Sequence, residues 1–197
     1  TDSLSSSPSL DPLADVALDA PGPDQVVVRV EATPINPSDL GGLFAGANPA
    51  AFESTGTPGH PSVKGQVPAA ALPALRPRVG ERLVVGNESA GVVVAAGSSP
   101  EAQQLLGKTV ALSGGEMYQQ YRTIKAKDCL VLGDDATPAD GASSFVNPLT
   151  SPAMVEVMRA EGHKALIHTA AASNLGQMLN RICIADGVDL VNVVRRP

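Results

Sequence analysis

"LIHTAAASNLGQ", residues 166–177, reads as a strand that gives way to a helix across a run of tiny side chains. "KALIHTA" is a continuous apolar segment. "NLGQMLNRICIADG" then sets Leu175, Met178, Leu179, Ile182 and Cys183 at helical spacing and stops at Gly187. "VDLVNVV" supplies a second apolar strand. Strand, helix and strand of this kind form one βαβ unit of a parallel sheet, with both strands expected to be buried.

The turn inside that unit has a chemical reading. A helix N-terminus after a strand offers unpaired N–H groups and a positive dipole end to an anion. Ala172, Ser173, Asn174, Leu175 and Gly176 would let a diphosphate approach the backbone there. Of the G-x-G-x-x-G fingerprint only the final glycine, Gly176, is kept, and small residues also serve simply to pack a helix on a strand. The end of the next strand adds a second signal. An acidic residue about 20 positions on would bind the ribose 2′-hydroxyl of NAD. Arg195 and Arg196 stand there instead. Guanidinium groups suit a 2′-phosphate, which points to NADPH as cofactor, although solvated arginines would look the same in sequence.

The chain has 197 residues, 43% hydrophobic and 17% charged, with a formal net charge of −6. That is a globular composition, long enough for one domain and part of another. An acidic chain argues against nucleic acid or an anionic membrane as partner. No apolar run is long enough to span a bilayer, and "TDSLSSSPSLDPLAD" is neither a signal nor a transit peptide. Cys129 and Cys183 lie far apart and read as reduced packing residues of a cytoplasmic protein.

Residues 1–24 read as a loose arm or first hairpin. Gln25–Ala32 is a β-branched strand that alternates poorly. Pro37 can open a helical turn near Ser38–Leu43, with Asn36 before it as a cap. Residues 45–80 are broken by Gly and Pro and read as a long loop shaping a pocket. "RLVVGNESAGVVVAAG", "KTVALSG" and "QQYRTI" are short, evenly spaced strands, the pattern of a small barrel. Asp134–Gly141 reads as a turn, and a helix over about Ser151–Ala160 starts with Pro152 in its first turn.

"VEATPINPSDL", "VGNESAGVVVAAG", "GGEMYQQY", "VNPLTSPAMVEVM", "HTAAASNLGQ" and "VNVVRRP" resemble, in this order, the medium-chain dehydrogenases/reductases. The nearest branches are the zinc-free quinone oxidoreductases and the mitochondrial-type enoyl thioester reductases. The resemblance covers residues 25–197. It implies an α/β protein with a GroES-like barrel over residues 1–145 and the beginning of a Rossmann domain over 146–197, the nicotinamide lying in the cleft between. It carries Asn36 and Asp39 to the mouth of that cleft, Thr150 to the nicotinamide ring, and Tyr118 and Tyr121 to a barrel strand. Asn36, Asp39 and Tyr118 are the candidate catalytic residues, and a half-buried structural tyrosine is an equal reading of Tyr118. For Glu88, bracing the barrel through hydrogen bonds is at least as good a reading as a catalytic role. A small-molecule substrate and a homodimer are implied as well.

Departures from the family are informative. Zinc-dependent members carry Cys near Pro37–Asp39 and His where this chain has Asn87. His60, His163 and His168 gather no cysteines around them in sequence, so no metal is expected. Enoyl thioester reductases use a Tyr after "INPSD" as proton donor, whereas this chain offers only Phe44 and Phe52. That favours quinones or enones, which solvent can protonate, as substrates. A thioester reductase and a non-catalytic descendant of the fold stay open as alternatives. A doubly wound sheet needs about six strands, and only two follow residue 146. The sequence therefore reads as the N-terminal part of a longer enzyme.

Overall fold

A computed structural model describes residues 17–81 and 84–195. Arg196 and residues 1–16 lie outside the described residues. Strand β1 (Gln25–Ala32) is an inner strand of a five-stranded antiparallel sheet. It pairs on one side with β4 (Glu88–Ala96) and on the other with β6 (Tyr121–Lys125). β4 continues to β5 (Thr109–Ser113), and β5 to the two-residue β7 (Leu130–Val131). Val26, Val27 and Val28 are all buried in succession. The register shift opposite Val27 and Val28 leaves Val94 as the extra residue, a bulge on β4. Val26, Val28, Val93, Val110, Leu112, Met117 and Ile124 form the core of this sheet.

The expected barrel is corrected by this topology. β6 and β7 are the two edges, and the described residues include no pairing that closes them on each other. β7 is too short to carry a full ladder. The loop expected over 45–80 is also corrected. It holds an antiparallel hairpin, β2 (Glu53–Thr57) and β3 (His60–Lys64), and a short helix α2 (Leu72–Leu75). The hairpin is almost wholly exposed, so no apolar alternation announces it.

Helix α1 (Pro37–Phe44) follows β1 as expected, with Asn36 as N-cap and Pro37 in its first turn. It ends at Ala45, whose φ of 50° is left-handed, and whose N–H donates to the Gly41 carbonyl at 3.1 Å. The short helix α3 (Pro100–Gln103) links β4 to β5. The turn expected at Asp134–Gly141 ends in a short helix α4 (Pro138–Gly141), with Thr137 and Asp140 forming a capping box.

Helix α5 spans Val146–Ala160, starting earlier than the expected Ser151 and carrying Pro152 inside it. The hydroxyls of Thr150 and Ser151 bond back to the carbonyls of Val146 and Asn147 in the same turn. Val155 and Met158 are buried on its inner face. Strand β8 (Ala165–His168), helix α6 (Asn174–Asp186) and strand β9 (Asp189–Asn192) then form the parallel βαβ unit. Gly187 ends α6 at a φ of 65°. Val155, Leu179 and Cys183 are its core. The expectation of buried strands is corrected here: Ile167 is 73% exposed and Val191 55%. Burial on both faces requires layers that the pair does not have within these residues.

Candidate active site

The order Asn36-Pro-Ser-Asp39 builds the first wall. Asp39, three residues into α1, accepts from the Asn36 N–H at 2.8 Å through Oδ2. Its Oδ1 accepts from the Asn87 N–H at 3.0 Å. The Asn87 side chain in turn donates to Ser38 Oγ at 2.8 Å. Asn87 thereby fastens α1 to the start of β4.

Glu88 is fully buried. Its Oε1 accepts from Asn36 Nδ2 at 3.0 Å, and its Oε2 accepts from the N–H groups of Phe145 and Val146 at 2.8 and 3.0 Å. In sequence, Glu88 reads as a barrel brace at least as well as a catalytic residue. The structure makes it the N-terminal cap of α5, 58 positions away in the chain. The only sequence signal was a carboxylate inside an apolar strand, which has to find donors somewhere.

Tyr118 lies in the loop before β6. Its hydroxyl donates to the Pro34 carbonyl at 2.8 Å. Burial, and then the neighbouring Asp39 carboxylate, push the phenol up to about 12. A phenol held this high keeps its proton at neutral pH. Tyr121 begins β6 and is largely exposed.

On the second wall, Thr150 stands one turn into α5 and lines an open, mainly apolar cavity of about 440 Å³ with Met154, Val157, Leu166 and His168. The His168 Nε2 is buried there without a partner. Ser151 Oγ shares its one proton between the Asn147 carbonyl at 2.9 Å and the Leu175 carbonyl at 3.4 Å, and so touches both α5 and the first turn of α6. In that turn Ser173 caps the helix, accepting from the Gly176 N–H at 3.0 Å. A Cβ on Gly176 would lie 2.5 Å from the Ala171 carbonyl oxygen and 2.7 Å from that of Ala170. Only glycine fits. The N–H groups of Asn174 and Leu175 precede any intrahelical acceptor, and Ala172, Ser173 and Asn174 are exposed beside them. Arg195 lies exposed just beyond β9.

The structure thus joins Asn36, Asp39, Glu88 and Tyr118 in one cluster, and Thr150 to the Ala172–Gly176 turn through Ser151. Among the described residues no three His, Cys, Asp or Glu side chains gather as a metal site.

Residues 22–144 match the alcohol dehydrogenase GroES-like domain. The chain belongs to that family. Among solved structures, this GroES-like chain is 34% identical, with a TM-score of 0.62, to a protein of Mesorhizobium loti assigned as an NADPH:quinone reductase, covering 92% of this chain and 46% of that one. Escherichia coli quinone oxidoreductase in complex with NADPH is 20% identical, with a TM-score of 0.57 over 91% of this chain and 47% of that one, a likeness of fold. Among curated proteins, the mitochondrial enoyl-[acyl-carrier-protein] reductase of Xenopus tropicalis is 29% identical over 187 residues, 93% of this chain and 45% of the relative. The GroES-like chain therefore spans about half the length of the relatives it matches.

Proposed function

We propose that this chain forms the substrate-side half and the first nucleotide-binding unit of an NADPH-dependent oxidoreductase acting on a quinone or an α,β-unsaturated carbonyl. The observation that carries the reading is the start of α6. Gly176 is jammed against the Ala170 and Ala171 carbonyls, while small residues stand exposed beside the free N–H groups of a 13-residue helix. That shape fits a diphosphate. The likeness to the Mesorhizobium loti reductase supports the same reading.

On this reading Ser173, Asn174 and Leu175 hold the diphosphate through the backbone, with Ala172 and Gly176 keeping the approach clear. Arg195 and Arg196 hold the 2′-phosphate, and Thr150 lies by the ring. When bound, NADPH supplies the hydride. Asn36 and Asp39 shape the cleft mouth. Tyr118 positions the Pro34–Asn36 segment through its hydrogen bond to the Pro34 carbonyl, and solvent protonates the reduced product. The protein would work as a cytoplasmic homodimer, a reading that rests on the family resemblance. Among the described residues no helix is long and apolar enough to cross a membrane.

The test is titration of NADPH into the full chain, followed by nicotinamide fluorescence, and then benzoquinone-dependent oxidation of NADPH. Absence of both sinks the proposal. A second reading, an enoyl thioester reductase, is favoured by the names of the curated relatives, 29% and 26% identical. Against it, the segment after Asp39, where the resemblance puts the thioester reductases' tyrosine, offers only Phe44 and Phe52, a tilted pair with centroids 5.1 Å apart. Faster turnover of an enoyl thioester than of benzoquinone would reverse the order.

A further inference from the structure

The Glu88 carboxylate has one oxygen on each wall of the candidate site. Oε1 faces the side-chain amide of Asn36 at the head of α1, and Oε2 faces the N–H groups of Phe145 and Val146, the N-cap and first residue of α5. All three partners are donors. An ionised carboxylate can only accept, so it satisfies both ends at once. It also settles which way round the Asn36 amide stands, since only the nitrogen end can face Glu88. We propose that Glu88 is a positioning residue that locks the amide orientation of Asn36 and ties it to the α5 turn leading to Thr150. The proposal rests on the hydride-transfer reading above.

Glu88→Gln separates this role from simple bracing. A glutamine has an acceptor at one end and donors at the other. If its carbonyl keeps the Phe145 and Val146 N–H groups, its NH₂ faces Asn36, and the Asn36 amide must turn over to accept. Bracing survives while orientation is lost. Glu88→Ala removes both.

The experiment uses the full chain and three readouts. These are exchange of the Phe145 and Val146 amides, the side-chain NH₂ resonances of Asn36 in nitrogen-15-labelled protein, and the kinetics of NADPH-driven benzoquinone reduction. In Glu88→Gln we expect amide exchange within a few-fold of wild type and displaced Asn36 resonances. We also expect kcat reduced about tenfold or more, which corresponds to ~1.4 kcal/mol, with the KM for NADPH within about twofold. In Glu88→Ala all readouts should change together. Unmoved Asn36 resonances in Glu88→Gln overturn the lock without reference to activity. A kcat that follows amide exchange and melting temperature across both variants overturns positioning and makes Glu88 a brace. Displaced resonances in a protein whose wild type has no NADPH-driven reduction overturn the functional reading, and with it the role in catalysis.

Discussion

The Tyr118 hydroxyl donates to the Pro34 carbonyl at 2.8 Å, tying the loop before β6 to the segment that leads into Asn36. The phenol is pushed from its ordinary 10.0 to about 12, first by burial and then by Asp39. A raised value in the folded state means that folding favours the neutral phenol. Its contribution to stability is therefore whole below pH 10 and is lost as pH rises from 10.0 toward about 12. Thermal melts on either side of that window should show an alkaline loss that Tyr118→Phe reduces. The same variant should cost about 1 kcal/mol near neutral pH. A fall in turnover far beyond that would make Tyr118 catalytic.

Gly176→Ala places a methyl group against two backbone carbonyls, 2.5 and 2.7 Å away. Neither belongs to a flexible side chain, so the βα turn itself must shift. The expected cost is roughly 1–3 kcal/mol, with NADPH binding weakened as the turn moves. Melting temperature and the NADPH dissociation constant check both. Unchanged values would mean that the turn is looser than its geometry.

On the proposed reading, Arg195 and Arg196 set cofactor choice. The α6 N-terminus attracts NADH and NADPH alike, so preference has to arise at the 2′ position. Replacing Arg195 and Arg196 together by alanine should remove one or two charge-assisted contacts, roughly 10–100-fold in NADPH affinity. NADH binding should stay nearly unchanged. Dissociation constants at fixed salt measure this, and equal losses for both cofactors would reduce the arginines to surface charges.

Asn87 spends its backbone N–H on Asp39 and its side chain on Ser38. Both are hydrogen-bonding tasks, with no paired cysteine nearby. Elemental analysis of purified active protein should find no stoichiometric zinc, and chelators should leave turnover intact. About one zinc per chain, lost together with activity, would refute this.

Local signals were legible in the sequence, and long-range ones were not. Asn36 and Pro37 spell a helix start, and α1 begins there. Leu175, Leu179 and Cys183 share one helical face, and Gly187 stops it, as the spacing says. Pro152 misled because a proline inside a helix costs about 3 kcal/mol. The buried contacts of Val155 and Met158 outweigh that cost. A closed barrel was inferred from even strand spacing, but closure depends on pairing between sheet edges, which spacing does not encode. Glu88 escaped because its donors lie 52 to 58 positions away.

Ala45 leaves α1 at a φ of 50°, a conformation in which a Cβ crowds the backbone. Glycine is the residue that exits a helix this way without penalty. The helix that carries Asn36 and Asp39 therefore holds a small reserve of stability, released by one substitution far from either side chain's partners. Ala45→Gly should raise the unfolding free energy by about 1 kcal/mol, measured by urea titration. In protein engineering this is a thermostabilising position beside a site whose chemistry it leaves untouched.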